Sequence, residues 1–317
     1  VQVIQLYKKM LAPKNRISVV MTCYSEGELI QDAIASILNQ STLPSEIILV
    51  NDFSTHPPTN QVCQQLETDN RIQVIWRSSN GGTSIARNTG FEAAQGEILV
   101  PLDADDLLPK DAIALVDQAF TTHPDAGFVY GDYFRQNHLD SELILVSPEN
   151  FSLRSLLQAK KFSVSSQWQL IGTSPLRRSL WKSVGGYDPE FGVEDLHDVE
   201  FWLRAIASDC YYYAISEPIY IWRKYLGNNS RQVTPLAWSR IAQKHFNLYC
   251  ELGLEYRANE LLLLGSKWLN QSEPIKHYSR QLVRCILQGK FQSSSLIALA
   301  LPTIALPFLW NHLRKSR

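Results

Sequence analysis

The sequence predicts an α/β protein with parallel strands, because short β-branched or apolar runs alternate with amphipathic helical segments through the first 120 residues. Strands are expected at 17–21, 46–51, 71–76 and 97–102. Between the first two, Ile30, Ala33, Ile34, Ile37 and Leu38 recur at spacings of three and four, which makes one continuous apolar face on a helix over 28–39. A second helix is expected over 84–94, with a weaker face built from Ile85, Thr89 and later alanines. Parallel strands need crossovers that cover both faces of the sheet, so the carboxyl ends of the strands remain as the open edge for a site.

Polar residues collect at that edge. Thr22, Cys23, Tyr24 and Ser25 follow the first strand, Asp52 follows the second, and Asp103, Asp105 and Asp106 close a later one. Three carboxylates within four positions repel one another unless a cation or a set of donors compensates them. Mg²⁺ or Mn²⁺ would do so and would keep phosphate oxygens in its remaining positions. Capping of the helix expected at 108–120 is the alternative use, although a cap needs a single Asp. The segment Asn80-Gly81-Gly82-Thr83-Ser84-Ile85-Ala86-Arg87-Asn88 allows close backbone approach at its glycines and places Arg87 and Asn88 on a helix. It lacks both the G-x-G-x-x-G spacing and the Gly-Lys-Ser/Thr ending, so a mononucleotide or sugar nucleotide held by separated side chains fits better than NAD.

A further strand is expected at 128–134, followed by a polar excursion at 136–142 and a mobile or substrate-facing segment at 163–169. Gly185-Gly186-Tyr187-Asp188-Pro189 reads as a turn. The second chemical cluster runs from Glu194 to Arg204. If Asp198 opens a helix, Trp202 and Ala205 follow it on roughly one face and buried neighbours hold the carboxylate as a general base. Otherwise Asp198 caps the helix, and Glu200 with Arg204 forms an i,i+4 surface pair. Beyond 235 the strands stop and helical runs follow at 256–269 and 275–287, where Leu261, Leu262, Leu264 and Leu269 would cover the main domain or a second copy of the chain.

The charge balance, 30 Lys plus Arg against 31 Asp plus Glu, excludes a strong global field for nucleic acid. Five cysteines without a CxxC argue against a zinc site or a disulfide framework and suit a reducing cytosol. Residues 1–16 read as an N-terminal extension without a signal-peptide core. Residues 291–311 carry no charge, and 296–310 are strongly apolar but interrupted by Pro302 and Pro307. That run is short for a membrane span, so an interfacial anchor with Trp310 and the basic tail at the headgroups, or packing against protein, is expected instead.

Taken together, these segments resemble a family 2 inverting glycosyltransferase of the GT-A fold over about residues 15–230. The opening strand and helix end in Ser36-Ile37-Leu38-Asn39-Gln40-Ser41. Residues 48–55 are similar to a Val-Asp-Asp-Gly-Ser-Thr stretch, 80–90 to an Asn-x-Gly…Ala-Arg-Asn-x-Gly segment, and 102–106 to a DxD-type motif. Gly185-Gly186-Tyr187-Asp188 and residues 198–204 match the acceptor-side motifs. The resemblance implies a mostly parallel central sheet flanked by helices in a catalytic domain over 17–232, with a helical extension over 233–317. It also implies inverting transfer of a sugar from a nucleoside diphosphate sugar, most simply a UDP-sugar, to a hydroxyl of a saccharide or lipid-linked saccharide. By carry-over, Thr22, Tyr24 and Asp52 lie at the nucleobase, Asp103 and Arg87 on the donor, Asp105 or Asp106 on Mn²⁺ or Mg²⁺, and Asp198 is the base, with Asp195 as second choice. The setting expected is cytoplasmic, or peripheral at the cytoplasmic face of a membrane.

The chain departs from the pattern at Asn51, where Asp is usual, at Phe53 for Gly, at His197 for an acidic residue, and at Tyr225 for His. Arg223 and Lys224 are candidates to replace the missing His at the diphosphate. Two other readings use the same residues differently: a sugar-1-phosphate nucleotidyltransferase, which would need a glycine-rich basic loop absent from 17–28, and a catalytically silent carbohydrate-binding scaffold.

Overall fold

The computed structural model describes residues 15–138, 141–149, 151–164, 172–191, 196–224, 234–303 and 306. Two compact units divide the chain, one of Val1–Glu149, Leu170–Val193 and His197–Arg231, the other of Asn150–Gln169, Glu194–Leu196 and Gln232–Arg317.

In the first unit, β1 (Ile17–Cys23), α1 (Leu29–Leu38), β2 (Glu46–Asn51), α2 (Pro57–Leu66), β3 (Ile72–Trp76), α3 (Gly82–Ala93), β4 (Ile98–Asp103) and α4 (Ala112–Thr122) alternate as expected. The later elements are β5 (Phe128–Gln136), β6 (Ile144–Val146), then β7 (Leu176–Arg177) leading directly into α6 (Arg178–Ser183), with α5 (Leu153–Leu157) belonging to the second unit. Next come α7 (His197–Ala207) and β8 (Tyr212–Arg223). Strand order is β3-β2-β1-β4-β7-β5-β6, and β8 pairs with β5.

The sheet is mixed, which corrects the expectation of a mostly parallel one. β1 to β4 pair in parallel, but β7 runs antiparallel to both β4 and β5, and β6 antiparallel to β5. The slot beside β4 is filled by a two-residue strand, too short to show in a hydrophobic pattern. β8 then lies parallel to β5, with register shifts at Gly131, Asp132 and Tyr133 that bend the strand.

β1 and β4 are buried almost throughout because helices cover both sides, and α1 packs on them through Ile30, Ala33, Ile34 and Ile37. α3 lies unusually close to β1 and β2: a Cβ at Gly90 would collide with Val20 and meet Val50. Cysteines far apart in sequence also meet here. Cys23 ends β1 and Cys63 sits in α2, and their free, buried thiols are 3.6 Å apart.

The second unit contains α8 (Pro235–Lys244), α9 (Phe246–Glu251), α10 (Glu255–Trp268), α11 (Ser272–Leu287) and α12 (Ser293–Ala300). α10 is buried along nearly its whole length, and its polar residues are satisfied internally. Arg257 and Glu260, both fully buried, pair at 2.8 Å; Glu260 also accepts from Ser294 and Ser295 at the start of α12. The Lys267 ammonium donates to the carbonyls of Ala298, Leu299 and Leu301 and so caps the far end of α12. Leu261, Leu262 and Leu264 are buried, whereas Leu269 lies past the helix and is exposed. Among the described residues no helix is long and apolar enough to cross a membrane. Residues 304–305 and 307–317 of the expected apolar and basic tail, together with Glu194, Asp195, Tyr225 and residues 165–169, lie outside the described residues.

Candidate active site

The carboxyl ends of β1, β2 and β4 are adjacent, as the parallel pairing requires: Thr22 sits opposite Val50 on one side and Asp103 on the other. Tyr24 follows on the exposed rim. Asp52 is nearly buried, and its carboxylate accepts from Arg77 Nη1 at 2.5 Å, from the Gly81 N–H at 3.0 Å and from the Gly82 N–H at 2.7 Å. Asp52 therefore holds the positive N-terminus of α3 to the end of β2. A nucleobase placed here would share an acceptor that the protein already uses. The sequence offered one signal for Arg77, a cation one residue past a strand at the open edge.

The three aspartates after β4 separate into different environments. Asp103 is partly exposed and accepts from Arg87 Nη2 at 2.6 Å. Asp106 is buried, with Oδ2 accepting from the Tyr220 hydroxyl and Oδ1 from the Arg223 backbone N–H, each at 2.7 Å. Burial, then the charges of Asp105 and Asp103, push its carboxyl well above the usual range. With both oxygens engaged inside the protein, Asp106 anchors the loop. Asp105 is pushed up to about 7, first by burial and then by Asp103 and Glu26. Among the described residues no group of three or more His, Cys, Asp or Glu side chains is arranged to hold a metal ion. Asp103 and Asp105 are the carboxylates whose mutual repulsion a cation would relieve.

Arg223 does not take the diphosphate role considered for it. Its guanidinium is buried, donating to the Asp105 carbonyl and, at 2.8 Å, to Asp32 on α1, so it fixes the aspartate loop from behind.

Neighbouring residues on α3 serve the two halves of the site. Arg87 reaches Asp103 and lies 5.2 Å from the centre of the Tyr187 ring. Asn88 accepts from the Tyr187 N–H at 2.8 Å and from Trp181 Nε1 at 3.1 Å, while its amide donates to the Tyr187 carbonyl at 2.7 Å. The turn before Tyr187 uses Gly185 and Gly186 at φ of 83° and 74°, and a side chain at Gly186 would strike Asn88.

Asp198 lies in the first turn of α7, the helix the sequence predicts for it. Gly172 presses against it so closely that a Cβ there would sit 2.5 Å from Oδ2, and the Gly172 carbonyl accepts from Trp202 Nε1 at 3.1 Å. The charge of Asp198 acts on both Arg87 and the Tyr187 hydroxyl. Asp103 contacts the buried Arg87 guanidinium directly, and the helix that carries Asp198 reaches it through Tyr187, whose ring stacks on Phe201 at 4.3 Å.

Glu200 and Arg204 are no surface pair. Glu200 is fully buried, Arg204 binds it with contacts down to 2.7 Å, and the same guanidinium donates to the carbonyls of Val184 and Gly186. The i,i+4 spacing is visible in sequence, but the burial that changes its meaning is not.

A sequence profile described as Glycosyl transferase family 2 matches residues 18–169. The chain is 27% identical over 234 residues to glycosyltransferase GlyG of Streptococcus pneumoniae, covering 71% of this chain and 76% of that protein. It is 34% identical over 185 residues to an uncharacterized glycosyltransferase of Haemophilus influenzae, covering 58% of this chain and 73% of that one. Two other relatives are much longer, and the match spans 13% and 16% of their length. Among solved structures, S. aureus TarS 1-349 in complex with UDP-GlcNAc superposes with a TM-score of 0.56 at 18% identity, over 80% of this chain and 72% of that one. With the order of motifs, the strand-end carboxylates and these matches in agreement, the chain belongs to glycosyl transferase family 2 and has the GT-A fold, the architecture that moves a sugar from a nucleotide-sugar donor.

Proposed function

We propose that this protein catalyses inverting transfer of a sugar from a nucleoside diphosphate sugar to a hydroxyl of a saccharide or lipid-linked saccharide, as a step of polysaccharide assembly at the cytoplasmic face of a membrane. The observation that carries the reading is the arrangement about Arg87: Asp103 at 2.6 Å on the strand end and, on the other side, the Tyr187 ring at 5.2 Å, which stacks on Phe201 of the helix that carries Asp198. A donor-side and an acceptor-side carboxylate in one site are what a direct displacement requires. UDP is the favoured nucleotide, supported by the UDP-GlcNAc complex of TarS.

Thr22 and Tyr24 line the nucleobase end and Asp52 orders it. Asp103 and Asp105 suit Mn²⁺ or Mg²⁺, because hard oxygen ligands whose charges repel one another favour such ions. Bound there, the ion would supply charge compensation for the departing diphosphate. Asp198 takes the proton from the acceptor hydroxyl as it attacks C1 from the face opposite the leaving group, and one such base suffices for inversion. Arg87 holds Asp103 in place, and Gly172 with Trp202 packs around the Asp198 side of the site.

The test is binding and hydrolysis of UDP-, GDP- and dTDP-sugars with and without Mn²⁺ by the wild type, Asp105→Ala and Asp198→Asn. Metal-dependent donor binding lost in Asp105→Ala, with binding kept but turnover reduced roughly 10²- to 10⁴-fold in Asp198→Asn, supports the proposal. Donor binding without turnover over a broad acceptor panel supports the silent scaffold. Condensation of a sugar 1-phosphate with a nucleoside triphosphate supports the nucleotidyltransferase.

A further inference from the structure

We propose that the outward face of α11 and the turn into α12 form a docking surface for an anionic phospholipid bilayer. α11 buries Leu282 and Cys285 on one side. Around the opposite side, at helical spacing, Lys276, Arg280, Val283, Arg284 and Leu287 all face solvent. Leu287 is 83% exposed. The chain then turns at Gly289 and presents Lys290 and Phe291, and the first turns of α12 add exposed Leu296.

The charge on this stretch is one-sided. Lys276, Arg280, Arg284 and Lys290 stand against a single acid, Glu273, which is already paired with Lys276 at 2.7 Å. Cations alternating with exposed apolar side chains fit few partners. A two-fold contact with a second copy would set the same patch against itself and bring like charges together. Nucleic acid would answer the cations and leave Leu287 and Phe291 in water. An anionic bilayer satisfies both sets, with the cations at lipid phosphates and the apolar side chains in the acyl boundary. The sequence after Leu296 continues without charge to Asn311, in keeping with such a surface.

This surface lies wholly in the second unit and requires no donor or turnover, so its test is independent of the catalytic reading. The full chain is co-sedimented with vesicles of phosphatidylcholine alone and of phosphatidylcholine with phosphatidylglycerol, over a range of salt. The expected result is partitioning that needs phosphatidylglycerol and falls with salt. Arg280→Gln with Arg284→Gln should weaken it roughly thirtyfold, the effect of two lost cations at an anionic surface. Leu287→Ser with Phe291→Ser should weaken it about tenfold by removing apolar insertion. Arg71→Gln with Lys110→Gln, exposed cations on the first unit, should leave it unchanged. All substituted side chains are exposed, and matching thermal melts show that each variant folds. Equal binding to neutral vesicles, no binding, or wild-type binding by both double variants would overturn the proposal. So would a concentration-dependent dimer that these substitutions abolish, which would make the face a protein interface.

Discussion

Replacing Arg204 with Met should destabilise the protein by about 3 kcal/mol, the cost of leaving a buried carboxylate without its partner. The structure supports that magnitude because Glu200 is fully buried, and Arg204 meets both its oxygens at 2.7 to 3.1 Å. Loss of the donors to Val184 and Gly186 adds roughly 1 kcal/mol each before relaxation, and water entry beside the partly exposed Arg204 offsets some of it. Urea unfolding followed by tryptophan fluorescence measures the change. The companion variant, Glu200→Leu with Arg204→Met, buries no charge and should recover stability to within about 1 kcal/mol of the wild type. Turnover should not recover, because the Gly185–Gly186 turn that delivers Tyr187 still lacks its charged donor. Stability and activity therefore part company in the double variant. A single-variant cost below about 1 kcal/mol, or wild-type turnover in the double variant, would refute the reasoning.

Gly172→Ala should lower turnover at least tenfold while donor affinity, read by calorimetry, stays near wild type, because the new methyl competes with the Asp198 carboxylate for space. Asp106→Asn should leave Mn²⁺ affinity within about twofold, whereas Asp105→Asn should abolish it, since Asp106 is committed to Tyr220 and Arg223. Brief treatment with a thiol oxidant such as diamide should join Cys23 to Cys63, seen as loss of two free thiols by mass spectrometry, and Cys63→Ser should prevent that loss.

Much of the architecture was legible because local pattern and fold agreed. The α1 face came out as Ile30, Ala33, Ile34 and Ile37, and the strand-end rule brought Thr22 beside Asp103 across β1 and β4. The missing piece was β7, whose two residues carry no periodicity and whose place beside β4 depends on long-range pairing. At the site, residue types announced chemistry but not commitment. Asp103, Asp105 and Asp106 read alike, yet burial and the Tyr220 and Arg223 donors, more than a hundred residues away, assign Asp106 to structure. Glu200 looked solvated, and Arg223 free to meet a diphosphate, for the same reason: a charged residue is read as exposed until its buried partner is known.

The organisation of the site follows from how α3 is fixed. Asp52 holds its first N–H groups to the end of β2, and Gly90 lets its third turn rest directly on β1 and β2, so the helix is constrained at both ends. Between those points, adjacent residues diverge by about 100° around the axis. Arg87 is thereby sent to Asp103 and Asn88 to the backbone of Tyr187. A loop carrying the same two side chains would let each relax separately. A pinned helix makes a shift on the strand-end side a shift on the Tyr187 side, so the position of the Arg-Asn pair along α3 is the one from which a single rigid element can serve both.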